Sequence, residues 1–217
     1  MKREVGAEFL GAALLTAAVV GSGIMGERLA GGNAAVALLA NTAATAAVLA
    51  ALIGTFGPAS GAHFNPVVTL VALSGKQIPA RIAAAYVPAQ ILGCVGGAIL
   101  ANLMFGLPAI QVAAHARTGG AQWLAELVAT AGLVLVAFTA PSIKEAAWRV
   151  PAWIAGAYWF TSSTSFANPA ITIGRSLSDT FAGIRPVDAP GFIVAQLAGG
   201  ICGAALLRLF AKRAIPT

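Results

Sequence analysis

The sequence has little charge: only 9% of its 217 residues are Asp, Glu, Lys or Arg, against about 25% in soluble globular domains. Hydrophobic residues make up 59% of the chain, so a water-soluble globule is excluded. Each long neutral run could hold at least one helix that crosses the hydrocarbon layer, which takes about 20 apolar residues. These runs are residues 9–26, 29–75, 82–116, 127–143, 150–174 and 189–207. We therefore expect an all-α, multi-pass membrane protein.

Cysteines and clusters of reactive side chains are also scarce. Cys94 and Cys202 lie in apolar runs without His or Cys at metal-ligand spacing, which argues against a disulfide framework, a redox site or a metal site. No Cys/His/Asp cluster and no nucleophile beside a base lies in the apolar runs. We therefore expect no enzyme activity, no cofactor and no bound metal.

The net charge of +6 does not indicate nucleic acid as a partner, because the 13 Lys and Arg residues form no basic stripe with interleaved aromatics. Lys2 and Arg3 precede an apolar run in the manner of a secretory signal. Further membrane segments follow instead of a soluble domain, so the first helix is interpreted as retained.

The apolar pattern predicts six full spans, near residues 5–25, 34–56, 80–104, 121–140, 147–163 and 189–211. Two runs continue beyond their helix, at 64–73 and 166–174, by about half a span each. Both surplus segments contain a proline. Two short, Pro-interrupted segments in matching places of two halves indicate a site near the middle of the membrane.

The two halves of the chain, approximately 1–104 and 121–211, repeat three motifs in the same order within one membrane domain of residues 1–217. The matched pairs are Ala7-Glu8-Phe9-Leu10 with Ala125-Glu126-Leu127-Val128, Asn65-Pro66-Val67-Val68-Thr69-Leu70 with Asn168-Pro169-Ala170-Ile171-Thr172-Ile173, and Ala89-Gln90-Ile91-Leu92-Gly93 with Ala195-Gln196-Leu197-Ala198-Gly199. Each half holds three full spans, and an odd number makes the second half enter from the opposite side. The repeat is therefore predicted to be inverted.

The distribution of basic residues predicts that both termini are cytoplasmic, because cytoplasmic loops are enriched in Lys and Arg. This orientation puts nine basic residues inside and four outside. The inner set is Lys2, Arg3, Lys76, Arg81, Lys144, Arg149, Arg208, Lys212 and Arg213, and the outer set is Arg28, Arg117, Arg175 and Arg185.

Asn65-Pro66 and Asn168-Pro169 are each predicted to start a half-helix, because Asn is a favoured N-cap and Pro fits the first helical position. In an inverted repeat the two positive N-terminal ends meet at mid-membrane. The Asn oxygens cap the helices and leave the side-chain NH2 groups free to donate. A lumen there repels cations and interrupts a hydrogen-bonded chain of water, so neutral solutes can pass and protons cannot readily do so.

The chain resembles the aquaporin and aquaglyceroporin family over nearly its whole length. The resemblance rests on Ser60-Gly61-Ala62-His63-Phe64-Asn65-Pro66-Val67, on Asn168-Pro169-Ala170 and on the Ala-Glu start of the first and fourth helices. It implies six transmembrane helices plus two half-helices around a pore in the lipid bilayer. It also implies a homotetramer with one pore per subunit, and we expect the bacterial inner membrane as its location.

The resemblance implies that Asn65, Asn168 and Ala170 line the pore. It puts His63 at the cytoplasmic mouth, where the ring either lines the pore or serves packing. Val67 stands where alanine is usual, and this β-branched side chain either crowds the lumen or leans on the opposite half-helix.

The selectivity filter departs from the family pattern. Arginine normally follows the second Asn-Pro-Ala, whereas this chain has Ile171, and family spacing puts the other filter positions at Thr45, Gly156 and Ser165. None of the four is arginine, histidine or a large aromatic, so we expect a wide, weakly polar filter. Arg175 lies one turn beyond Ile171, and Asp179 lies a further turn out. Arg175 is either a displaced donor in the vestibule or a member of an exposed i, i+4 ion pair with Asp179.

Four polar residues are expected inside the spans. An ionisable group there is costly and usually faces the interior, so Glu8 and Glu126 either relay protons or anchor backbone amides of the half-helix loops, and the resemblance implies the anchor. Gln90 and Gln196 are interpreted as interhelical hydrogen-bond formers.

The sequence therefore predicts a passive channel for small neutral solutes larger than water. Glycerol-like polyols, urea and neutral metalloids such as arsenous acid are the candidates, together with water, and the metalloids rest on the resemblance alone. One alternative is a mainly water-conducting aquaporin. Another is a secondary transporter that couples solute to protons through Glu8 or Glu126.

Overall fold

A computed structural model describes residues 1–211 of the chain. Its elements are α1 (Lys2–Leu29), α2 (Ala34–Ser60), α3 (Pro66–Ser74), α4 (Ala80–Met104), α5 (Gly120–Thr139), α6 (Ile143–Phe160), α7 (Pro169–Arg175) and α8 (Ala189–Ala211). Six are long, and α3 and α7, of nine and seven residues, are the two predicted half-helices. Lys212 and Arg213, which entered the charge count, lie outside the described residues.

Five of the long helices, α1, α2, α4, α5 and α8, are long and apolar enough to cross a membrane. The sixth, α6, has 18 residues and carries Lys144, Glu145 and Arg149 near its start. The prediction of 147–163 for this helix was wrong at both ends. It begins earlier because the Ser142 side chain caps it by accepting the Glu145 N–H at 3.2 Å, and it ends earlier because a loop with left-handed residues follows.

The repeat is visible in the way the helices pack, because α1 lies against α4 as α5 lies against α8. Gly97 of α4 lies against the carbonyl of Ala13, and Gly203 of α8 lies against the carbonyl of Ala131. In each case a Cβ on the glycine would overlap that carbonyl oxygen. Gly93 and Gly199 meet the carbonyls of the residues that follow the two glutamates in the same way. Small residues thus let the paired backbones approach closely, as in other membrane helix pairs.

We predict that Gly97→Ala destabilises the protein by about 1–3 kcal/mol, since overpacking a tight contact costs about this much. Gly96→Ala is the matched control, because the neighbouring glycine has open space around its Cβ position. Thermal unfolding in detergent, followed by the loss of monodisperse protein, measures the difference. Equal midpoints for the two variants would contradict the close approach of α1 and α4.

Candidate functional site

The two half-helices meet with their N-termini in the middle of the molecule, and each asparagine bonds in two directions. Asn65 Oδ1 accepts from the Val67 N–H at 2.9 Å, and Asn168 Oδ1 accepts from the Ala170 N–H at 3.0 Å. Across the junction, Asn65 Nδ2 donates to the Ala167 carbonyl at 2.7 Å, and Asn168 Nδ2 donates to the Phe64 carbonyl at 2.8 Å. The amides, expected to be free to donate beside the lumen, thus use one N–H each on the opposite loop, and one N–H of each is left.

The loops that lead into the half-helices have the same unusual backbone. The residues one and three positions before each asparagine have positive φ: Phe64 at 48° and Ala62 at 52° in the first loop, and Ala167 at 47° and Ser165 at 49° in the second. A left-handed non-glycine residue costs on the order of 1–3 kcal/mol and persists only where its surroundings hold it. Both loops therefore need a strong anchor.

Glu8 is the anchor of the first loop. Its side chain is fully buried and accepts hydrogen bonds from Ser60 Oγ at 2.6 Å, from the backbone N–H groups of His63 at 3.0 Å and Phe64 at 2.7 Å, and from Gln90 Nε2 at 2.7 Å. Carboxylates hold such donors more strongly than neutral acceptors do. These are the contacts that the anchoring interpretation requires.

Glu126 makes the equivalent contacts in the second half. It accepts from the backbone N–H groups of Phe166 at 2.9 Å and Ala167 at 2.8 Å, and from Gln196 Nε2 at 2.7 Å. The two glutamines thus bond between helices in the manner expected.

Two threonines complete these networks and were missed by the sequence analysis. Gln90 Nε2 donates to Thr69 Oγ1 at 2.9 Å, and Gln196 Nε2 donates to Thr172 Oγ1 at the same distance. Both threonines are fully buried. The signal was present, because a threonine stands four residues after each repeated asparagine.

A cavity of about 360 Å³ runs beside the paired asparagines. It extends from the loops that contain Gln77 and Ser142, past Asn65 and Asn168, to Arg175 at the end of α7. Much of its wall is apolar, with Leu15, Val19, Leu49, Ile53, Leu133, Ala137, Val150 and Ile154. Its polar lining includes Thr45, His63, Asn65, Tyr158, Ser165 and Asn168.

Three of the four expected filter residues line this cavity: Thr45, Ser165 and Ile171. The hydroxyl oxygens of Thr45 and Ser165 are buried and have no hydrogen-bond partner within the described part of the chain. A buried hydroxyl without a partner is costly. Both residues contribute to the cavity wall, while their hydroxyl oxygens are closed off from the cavity in this conformation.

Gly156 was the wrong choice for the fourth position. It is exposed, no atom lies within 4 Å of where its Cβ would be, and the cavity wall is formed instead by Tyr158, which is 3% exposed. Two residues along an α-helix turn a side chain by about 200°, so Gly156 lies on nearly the opposite face of α6 from Tyr158. The residue of α6 in the cavity wall is thus a large aromatic, whereas none was expected among the four filter positions.

Ala170 was expected to line the lumen, and Val67 to crowd the lumen or lean on the opposite half-helix. The structure places both side chains elsewhere. The Val67 side chain is buried against Gly200 of α8, while its neighbour Val68 faces the cavity. Ala170 is fully buried in the core on the face of α7 that it shares with Gly174, which lies against the Cys94 carbonyl of α4. Neither crowds the lumen.

His63 fits both of the alternatives considered for it. The ring lines the cavity, while its Nδ1 lies 3.1 Å from Thr69 Oγ1 and its ring packs edge-on against Tyr86, with centroids 5.6 Å apart. The side chain is thus fixed from behind and open to the lumen in front.

Arg175 does not form the exposed ion pair that was one of its two interpretations. Its side chain is 2% exposed, its Nε donates to the Ala182 carbonyl, and its guanidinium carbon lies 3.3 Å from the centroid of the Phe166 ring. The Asp179 carboxylate accepts the Ala114 N–H at 2.8 Å instead. Arg175 is a buried residue of the cavity wall.

Arg117 is a second buried arginine that the sequence analysis counted only as an outer basic residue. It is 7% exposed, and its guanidinium carbon lies 5.1 Å from the Phe166 centroid. The only signal for it was a single basic residue in a segment of small and apolar residues.

The family model described as "Major intrinsic protein" matches residues 1–161 and 142–216. The chain belongs to the major intrinsic protein family. Among curated proteins, the aquaglyceroporin AqpS of Rhizobium meliloti (strain 1021) is 51% identical over 219 residues, covering 100% of this chain and 93% of the relative. Aquaporin-5 of Ovis aries is 31% identical over 190 residues, covering 82% of this chain and 64% of the relative.

The fold matches the X-ray structure of the aquaglyceroporin from Plasmodium falciparum with a TM-score of 0.75 and 21% sequence identity, covering 99% of this chain and 97% of that one. The predicted arrangement of six transmembrane helices and two half-helices in an inverted repeat is confirmed. As a major intrinsic protein, the chain is a multi-pass membrane channel and not an enzyme.

We predict that Asn65→Asp and Asn168→Asp each raise cation leak through this major intrinsic protein or prevent its folding. Aspartate keeps the cap, yet it sets a negative oxygen against the opposite carbonyl and removes the remaining donor from the lumen. Proteoliposomes with a fluorescent cation indicator measure the leak, and size-exclusion chromatography measures folding.

Asn33→Asp is the matched control, because Asn33 caps α2 in the same way but is exposed. It should leave both the cation leak and the size-exclusion profile unchanged. If both lumenal variants fold and exclude cations as the unmodified chain does, the asparagines do not form the ion barrier.

Proposed function

We propose that the channel passively conducts small neutral solutes that carry hydroxyl or amide groups, together with water. Glycerol-like polyols, urea and neutral metalloids such as arsenous acid form this class. The observation that carries the proposal is the cavity itself, whose largely apolar wall is interrupted by a few polar side chains, among them Asn65, Asn168 and His63. Such a wall suits a solute with polar groups on one side and a less polar skeleton on the other.

The proposed filter consists of Thr45, Ser165, Ile171 and Tyr158. Ile171 brings neither charge nor donor into the lumen, and Tyr158 brings a ring with one hydroxyl. The 51% identity to a protein named an aquaglyceroporin supports a solute class broader than water.

Ion exclusion is proposed to reside at the half-helix junction. Both N-terminal ends point there, and each helix carries partial positive charge at that end. The remaining N–H of each asparagine donates to passing oxygen atoms, so a water molecule held there is oriented with its oxygen towards the amides. Cations are repelled, and proton transfer along the water chain is interrupted.

The proposed setting is the plasma membrane of a bacterium with both termini in the cytoplasm, supported by the bacterial relative and by the excess of basic residues on that side. We propose a homotetramer with one pore per subunit. Large apolar side chains on the outer faces, such as Leu39 and Trp159, are exposed in a single subunit and suit contact with lipid or with a second copy.

A mainly water-conducting channel is the second candidate. One observation favours it: two large side chains outside the four expected filter positions, Tyr158 and Arg175, also line the cavity. The two candidates differ in the ratio of glycerol to water permeability, which stopped-flow shrinkage and reswelling of proteoliposomes measures directly.

We expect flux to be linear in the solute gradient, electrically silent and independent of a pH gradient, because the channel is passive and its junction excludes ions. Stopped-flow light scattering with glycerol, urea and arsenous acid, with and without an imposed pH gradient, provides the measurement. Empty liposomes are the control. Accumulation of solute against its gradient, driven by protons, would reject the channel in favour of a coupled transporter.

Ile171→Arg should narrow the range of solutes towards water. The guanidinium would enter the cavity that Thr45 and Tyr158 also line, so glycerol would lose clearance while single-file water would lose less. We expect the ratio of glycerol to water permeability to fall about tenfold, equivalent to about 1.4 kcal/mol of barrier.

Ile171→Met is the matched control, since it changes shape with little change in volume or charge. Because Arg175 could repel the new arginine, the pair Ile171→Arg with Arg175→Ala is measured as well. Should the permeability ratio stay constant in both variants, Ile171 is outside the constriction.

A further inference from the structure

Arg175 is a buried cation without a carboxylate partner in the described part of the chain. Its side chain is 2% exposed, and none of the ion pairs found among residues 1–211 includes it. Its Nε is taken by the Ala182 carbonyl, whereas its two terminal NH2 groups make no hydrogen bond to these residues. A buried charge left unpaired is strongly unfavourable. Since Arg175 lines the cavity, the lumen is where its remaining donors find partners.

Its position follows from the helix and from one aromatic ring. Arg175 stands four residues after Ile171 on α7, and residues four apart share a helix face. The guanidinium is stacked 3.3 Å from the Phe166 centroid, and Phe166 itself is held by the bond from its N–H to Glu126. The charge is thus fixed one turn beyond the filter.

Arg117 binds the same loop that accepts the hydrogen bond from Arg175. Its Nε donates to the Gly183 carbonyl at 2.8 Å and its terminal nitrogen to the Phe181 carbonyl at 3.2 Å. These residues flank Ala182, whose carbonyl receives Arg175 Nε. Arg117 also lies over the same Phe166 ring. Both arginines are therefore tied to one loop and one ring.

We propose that Arg175 is an outer cation barrier, in series with the half-helix junction, and an oxygen-recognising donor of this channel, and that Arg117 is its positioning residue. This inference rests on the proposed function. A fixed charge one turn outside Ile171 repels cations before they reach the filter, while its NH2 groups donate to the oxygens of entering neutral solutes. The filter itself stays free of charge, which leaves room for solutes larger than water.

Arg175→Met tests the charge while keeping an apolar stem of similar length against Phe166. We expect leak of K⁺ and methylammonium in proteoliposomes to rise about tenfold, the change that 1.4 kcal/mol of barrier would produce. Arg175→Lys keeps the charge without the planar fork. It should exclude cations as the unmodified chain does while altering the ratio of glycerol to water permeability. Arg28→Met is the control, since Arg28 binds the Phe105 carbonyl outside the cavity.

A comparison of single and double variants tests whether Arg117 acts through Arg175. Arg117→Met alone should raise cation leak to a lesser extent, and it should add nothing in the Arg175→Met background, because a positioning residue acts only through the group that it positions. A merely structural role would give additive effects.

Cation exclusion by folded Arg175→Met equal to that of the unmodified chain would overturn the inference. If Arg175→Met does not fold, a lysine variant with an unchanged permeability ratio would overturn the donor role. Failure of the proposed function gives a different result: the unmodified protein would conduct water but no glycerol or urea, and the cation leak would still report on Arg175.

Discussion

The constraint on which this structure depends is that two helices end in the middle of a bilayer, where no lipid can satisfy their free backbone groups. The half-helix loops solve this with two buried carboxylates. Glu8 accepts the N–H groups of His63 and Phe64, and Glu126 accepts those of Phe166 and Ala167. These bonds stabilise a left-handed backbone that would otherwise be unfavourable. The loops in turn present the carbonyls to which the opposite asparagines donate.

The same constraint explains why the two halves resemble each other in helix packing and side-chain hydrogen bonds as well as in sequence. Each glutamate needs a helix that lies very close, and Gly97 and Gly203 allow that approach at equivalent places. Each glutamine then joins its glutamate to a threonine on the half-helix. Removing one member would leave buried donors or acceptors without partners, so the network acts as a unit.

The fold and the half-helix junction could be predicted because they depend on paired features. One Asn-Pro pair is an ordinary helix start, but two at matching places of an inverted repeat define a junction. Glu8, Glu126, Gln90 and Gln196 were found for the same reason: each has a counterpart in the other half, and an isolated polar group in an apolar span needs a partner.

The cavity wall was harder to predict because it depends on the rotation of each helix. Successive residues of a helix differ by about 100°, so an alignment offset of two residues exchanged the cavity-facing Tyr158 for the outward-facing Gly156. The predictions for Val67 and Ala170 were wrong for a related reason. The motif puts them next to the junction along the chain, whereas the direction of their side chains is set by α8 and α4.

The position of Arg175 one turn beyond Ile171 could be predicted from sequence, but the burial of Arg175 and Arg117 could not. Their burial depends on carbonyls of residues 181–183 and on the Phe166 ring, which come together only in the folded chain. Counting charges treats both as surface residues. The distinction matters, because an exposed arginine is screened by water whereas a buried one acts on every solute that passes.

The hydrogen bonds of Glu8 also bear on whether this chain could use it to move protons. The carboxylate accepts from four donors, two of them backbone N–H groups that cannot turn away. A proton added to either oxygen would face a donor and break at least one of these bonds, and the loop that carries Phe64 would lose its anchor. A proton relay through Glu8 would therefore break at least one bond that holds the half-helix loop in every cycle.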